Sequence, residues 1–262
     1  MKNSFFKYVF ILFVVVIIIF TIYMIYFKKN PNENLNEVSE VEEVKEIKDL
    51  RIGISNFDTI NPLLSNNKEV LNIDKIIFEP LMTIDKDYSI KKCLATECSK
   101  TSPTTYVIKI DNEKKWQNGT ALIAKDIQFT IEKLKEGNSI YSYNVEKIIQ
   151  VDILDSETVK ITLSEENPFF EYNLIFPILP SNYYIGDDFY TSEKLPIGTG
   201  MYKIESISDS LITLKKNEDW WNIKNINPKI EIIHIRLYSE IGELYNNFKM
   251  GNTDIFTSSN SN

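Results

Sequence analysis

The chain has 262 residues, an ordinary hydrophobic content of 43% and a formal net charge of −8. That length supports one or two domains with real cores, and that hydrophobicity excludes disorder throughout. Asp and Glu outnumber Lys and Arg by 37 to 29, so no basic stripe is available to displace counterions from phosphates, and nucleic acid is excluded as a partner.

The first element is the run YVFILFVVVIIIFTIYMIYF at residues 8–27, which carries no charge, Pro or Gly. At about 1.5 Å rise per residue, about 20 residues cross a hydrocarbon core of about 30 Å. The run is too long for the apolar centre of a signal peptide, no small-x-small cleavage site follows, and no Cys stands close behind it to take a lipid. The expectation is an N-terminal transmembrane helix at 8–27, acting as a signal-anchor. Residues 1–7 are then a cytoplasmic tail, and the globular part is the extracytoplasmic portion of a single-pass cell-membrane protein. Lys2 and Lys7 on one side balance Lys28 and Lys29 on the other, so charge alone does not set the orientation. Residues 28–49 read as an acidic, solvated tether, with Val and Ile at helical spacing near 38–47.

Beyond the tether, strand-like stretches rich in β-branched residues recur at 50–54, 105–110, 148–154, 158–163, 201–207, 211–216 and 230–238. ILDSETV (153–159) and IESISDSLITL (204–214) read as hairpins with Asp and Ser in the turns. Helical patterns fall at Val70–Phe78, Ala124–Lys135 and Glu240–Met250. In the second of these, Ile127, Ile131 and Leu134 recur at i, i+4 and i+7. The body is therefore of mixed α/β or α+β class, without internal repeats.

Chemistry-bearing motifs are scarce. Cys93 and Cys98 form a C-x4-C pair, which fits either a disulfide outside the cell or two buried thiols. Two thiols do not build a structural zinc site, so no metal or other cofactor is expected. The one histidine, His234, stands inside a strand-like run beside Arg236, where a sheet position is the better reading. There is no G-x-S-x-G, no H-E-x-x-H and no P-loop, and no enzyme is expected.

Residues 50 to about 256 resemble the N-terminal half of the family 5 extracellular solute-binding proteins, the oligopeptide- and dipeptide-binding components of ABC importers. The resemblance rests on five stretches in order. They are LRIGISNFDTINPL (50–63), FEPLMTIDKDYSIKKCLA (78–95), a tryptophan-glycine turn running into a helix, PIGTGMYKI (196–204), and the segment 216–256 from KNEDWW to GNTDIF. The third carries Trp116, Asn118, Gly119, Ala124, Asp126, Ile127, Phe129 and Thr130 at the family's spacing. Two positions depart from the pattern. Asn118 replaces the commoner Asp, and Ile123 stands where a helix-capping Thr is usual.

The resemblance implies a periplasmic-binding-protein-like α/β fold of type II, cluster C. Residues 50–66 and 195–262 would form the first lobe, and 67–194 a small inserted α+β subdomain. The family's second lobe would follow beyond TSSNSN, so the chain reads as a truncated copy, a split gene or a fragment. The partners implied are a peptide ligand, ABC permease subunits and the membrane. Ligand contacts are expected from the extended segment Ser55, Asn56, Phe57 and Asp58, from Tyr141 and Tyr143, and from the turn Gly198, Thr199 and Gly200. The tryptophan-glycine element is expected to mark the fold rather than to touch ligand: Gly119 permits a positive φ, Trp116 packs beneath the turn, and Asp126 lies in the helix's first turn. The alternative is a degenerate sensor or interaction module on the cell surface.

Overall fold

The computed structural model describes residues 15–26, 48–187 and 189–256, and the chain divides into two compact units, Met1–Glu46 and Ile47–Asn262. In the first unit, residues 15–26 form helix α1, with every side chain exposed. Among the described residues no helix is long and apolar enough to cross a membrane. The expected transmembrane helix is therefore not supported by the structure. Residues 8–14 and 27 of the expected span lie outside the described residues, as do the tail 1–7 and residues 28–47 of the tether.

The second unit is built on two main sheets, each with its own core. The first sheet has the order β11-β1-β10-β9-β8. Strand β1 (Asp49–Ser55) pairs in parallel with β10 (Ile232–Tyr238), Ile54 standing opposite Leu237. Strands β8 (Tyr202–Ile207) and β9 (Leu211–Lys216) form an antiparallel hairpin that continues onto β10. Helix α5 (Ile241–Lys249) leads from β10 to the short β11 (Ile255–Phe256), which pairs in parallel with β1 on its other edge. This crossover carries α5 over β1, and Gly53 makes the close approach possible: a Cβ there would collide with Leu244 Cδ1. Ile54, Ile212, Leu214, Ile233 and Ile235 bury one face of the sheet.

Helix α2 (Lys68–Asp74) contributes Val70 and Ile73 to that same core, so this helix packs with the five-stranded sheet although the sequence places it in the inserted segment. The helical pattern extends to Phe78, but the helix ends at Asp74. The carbonyls of Ile76 and Ile77 are engaged by the crossing chain, which donates from Tyr202 N (3.0 Å) and Gly200 N (2.9 Å).

The second sheet is antiparallel with the order β4-β5-β7-β6. It comprises β4 (Ala95–Ser102), β5 (Thr105–Ile110), β6 (Ile148–Ile153) and β7 (Thr158–Leu163). Alternate residues Tyr106, Ile108 and Ile110 of β5, and Val159, Ile161 and Leu163 of β7, face α3 (Ala124–Lys135), which buries Ile127, Ile131 and Leu134. A small hairpin, β2 (Met82–Ile84) and β3 (Ile90–Lys92), and the short helix α4 (Ser142–Val145) complete this half. Cys93 and Cys98 are free thiols, each partly buried.

Candidate functional site

The tryptophan-glycine element folds around one buried carboxylate. Trp116 is 3% exposed and Asp126 2%. Asp126 Oδ2 accepts from Trp116 Nε1 and from Ile123 N, both at 3.0 Å. Its Oδ1 accepts from Ser181 N and Ser181 Oγ, both at 2.7 Å. Burial pushes Asp126 above the ordinary carboxylate value, and these four donors oppose that shift. Ile123 has no side chain to cap α3, so the Asp126 carboxylate takes its backbone N–H instead. One turn on, Thr130 Oγ1 donates to Asp126 O and accepts from Leu179 N. Gly119 adopts φ 85°, which closes the preceding turn.

A second buried carboxylate gathers the remaining motifs. Glu79 Oε1 accepts from Trp220 Nε1 (3.0 Å), and Oε2 from Trp221 Nε1 and Thr199 Oγ1 (2.8 Å each). Burial raises its pKa, while the donors and the nearby Lys114 ammonium hold it back. Lys114 is itself buried, donates to the carbonyls of Cys93 (2.7 Å) and Leu94 (3.1 Å), and lies 4.2 Å from the Trp221 ring centre. Gln117 joins the two centres. Its backbone N donates to Gly198 O, its Oε1 accepts from Gly198 N (2.9 Å each), and its Nε2 donates to Tyr202 O (2.6 Å).

This wiring fixes where the expected ligand residues stand. Gly198, Thr199 and Gly200 are all buried. A Cβ at Gly198 would meet the Ile77 carbonyl, and one at Gly200 the carbonyls of Ile76 and Ile77, so the turn is pressed against the chain that follows α2. Ser55 is buried at the end of β1, its N–H donating to Glu69 Oε2 (3.1 Å). Asn56 takes the left-handed conformation at φ 54°. Asn67, which caps α2 through Oδ1, reaches back with Nδ2 to the carbonyls of Asn56 (2.7 Å) and Ser55 (3.1 Å). Asp58 accepts from Thr59 N, Ser65 Oγ, Asn66 N and Asn67 N. Partial burial pushes its pKa up, but those donors outweigh it and hold the carboxyl below its ordinary value. Asp58 is thus occupied in shaping the loop, whereas the side chain of Asn56 is exposed and Phe57 half-buried.

Tyr143 is 78% exposed and Tyr141 half-buried. Of the nine expected residues, Tyr141 alone lines a cavity of about 410 Å³ whose wall includes Asp74, Glu79 and Cys93. Asp74 is 4% exposed, and among the described residues neither of its carboxylate oxygens has a hydrogen-bond partner. Sequence reasoning missed Asp74 and Glu79. A signal for Asp74 exists, because it falls on the buried period formed by Val70, Ile73 and Ile77. Among the described residues no three His, Cys, Asp or Glu gather as a metal site, and His234 sits mid-strand in β10 between Arg51 and Thr213.

Three comparisons place these features. The model of "Bacterial extracellular solute-binding proteins, family 5 Middle" matches residues 89–262. The glutathione-binding protein GsiB of Shigella boydii is 27% identical over 173 residues, covering 64% of this chain and 34% of the relative. Among solved structures, NikZ from Campylobacter jejuni in complex with Ni(L-His) superposes with a TM-score of 0.69 at 27% identity, over 80% of this chain and 43% of NikZ. The oligopeptide-binding protein AppA from Bacillus subtilis, in complex with a nonapeptide, gives a TM-score of 0.69 at 21% identity, over 79% and 43%, and supports the periplasmic-binding-protein-like fold. The chain spans about a third of the length of the curated relative and under half that of the two solved ones.

Proposed function

We infer the function from one premise: this chain belongs to the bacterial extracellular solute-binding proteins, family 5. The chain contributes to an extracytoplasmic substrate-binding protein that delivers oligopeptides to the permease subunits of an ABC importer. The observation that carries this reading is the family match over residues 89–262, a stretch that holds both Asp126 and all three Glu79 donors. The five-stranded sheet is assigned to the first lobe and the four-stranded sheet to the inserted subdomain. The charge-free run at 8–27 is assigned as the anchor that keeps the protein at the membrane.

Peptide is favoured over a metal complex by the sequence, whose one histidine is spent in the middle of β10. The exposed Asn56 and the half-buried Phe57 offer a polar and an aromatic contact to a peptide, with Ser55 and Asp58 holding that loop in shape. Tyr141 and Tyr143 offer aromatic area and a hydroxyl at low entropy cost. The buried Gly198–Gly200 turn, which packs on Ile76 and Ile77, is assigned to the same site.

Uptake of radiolabelled oligopeptides by cells lacking the gene tests the reading. A marked fall in uptake, restored by the gene in trans, is expected. Unchanged uptake would overturn the transport role and favour a surface sensor.

A further inference from the structure

The cavity beneath Tyr141 contains a feature that neither buried carboxylate centre uses. Asp74, at the last position of α2, is 4% exposed and lines the cavity, and both its oxygens lack partners among the described residues. A buried acceptor left in this state is destabilising, and a donor that reaches it relieves the cost. Asp126 and Glu79, equally buried, collect four and three donors respectively. The fold thus supplies donors to two buried carboxylates and withholds them from the third, so of the two carboxylates that line this cavity Glu79 is bonded and Asp74 is open to a ligand.

The cavity, at about 410 Å³, falls within the range that takes small organic ligands. Its walls are mainly apolar, with Leu71, Phe78, Met82 and Ile175 among them. Its charged groups are Asp74 and Glu79 on the acidic side and Lys75 on the other, and Lys75 Nζ is bonded to Asn72 Oδ1 (3.0 Å). A ligand that fills this space must carry an apolar body and a group that only donates hydrogen bonds. An ammonium meets the second condition, since it has three donors and no acceptor to leave orphaned. We propose that this cavity is a binding site for a small organic cation, a primary amine on a short aliphatic body, with its ammonium on Asp74 and its chain against Leu71, Phe78 and Met82.

Burial, with a smaller contribution from the Asp58 charge, pushes Asp74 well above the usual carboxylate range. An entering cation offsets that penalty. Cys93 and Tyr141 also face the cavity, and burial raises both, so neither adds charge near neutral pH. The site does not depend on the oligopeptide reading, and its failure would leave that reading intact.

Calorimetric titration of the full chain in detergent with n-butylammonium, and separately with n-butanol, tests the proposal. Asp74→Asn keeps the shape and removes the charge. Saturable amine binding that weakens tenfold or more in D74N, with butanol unaffected by the substitution, is the expected result. A second variant, Leu71→Trp, fills the cavity from its wall and is expected to abolish binding of both probes. Absence of saturable amine binding by the native chain overturns the proposal. So does equal amine affinity in the native chain and D74N, or undiminished binding in L71W.

Discussion

Trp116 donates its indole N–H to Asp126 across 3.0 Å, and both residues are almost wholly buried. This bond ties a loop to the first turn of α3, and the other oxygen of the same carboxylate holds Ser181. The element that identifies the family is thus an internal fastening between segments far apart in sequence.

Asp126→Asn is expected to destabilise the fold by about 3 kcal/mol, because an amide turns a donor towards groups that are themselves donors. Trp116→Phe keeps the ring's bulk and is expected to cost about 1–2 kcal/mol. Urea unfolding checks both. Native-like stability of D126N would show that the carboxylate is not the fastening it is taken to be.

The glycines separate packing from propensity. Gly198→Ala is expected to destabilise by about 1–3 kcal/mol or more, since its Cβ would collide with Ile77 O. Gly242→Ala meets open space within α5 and is expected to gain about 0.5–1 kcal/mol. Thermal unfolding of the two variants decides it, and similar shifts would contradict the close approach at 198.

Asp74 gives the chain a pH dependence. Its folded-state pKa is raised, so its contribution to stability is fully present below the unfolded value of about 3.9 and is lost as pH rises through the raised folded value. Asp74→Asn removes this loss. The variant is expected to match the native chain near pH 4 and to exceed it by about 1–3 kcal/mol near pH 8. Glu79 and Asp126 are raised as well, but both are present in either protein and cancel. A constant difference across that range would contradict the account.

Much of the fold was legible because its buried faces are periodic. β5 and β7 alternate, and α3 repeats its apolar residues at helical spacing. β4 was not legible. It is an edge strand whose residues are largely exposed, so ATECSKTS carries no apolar alternation. The end of α2 was misjudged because it is set by Gly200 and Tyr202, which arrive from far along the chain. The same distance hid the buried centres: Ser181 lies 55 residues from Asp126, and Trp220 lies 141 residues from Glu79. The glycines expected to touch ligand at 198 and 200 are points of close backbone contact as well, which composition alone does not reveal.

The two cysteines were readable as a bridge or as thiols, and the structure has thiols, each pushed by burial up to about 12. Two thiols per chain are expected to react with a disulfide reagent in unreduced, denatured protein, and to react at least tenfold more slowly in the native state at pH 8. Finding none after denaturation would contradict this.

Photolabelling tests the central claim, that this chain presents a peptide-facing wall, most directly. Membranes carrying the full chain are irradiated with oligopeptides bearing a benzophenone side chain, and the adducts are mapped by mass spectrometry. The account predicts labelling at Asn56–Phe57 and at Tyr141 or Tyr143, suppressed by excess unlabelled peptide. Labelling confined to other surfaces, or not suppressed by competitor, would contradict it.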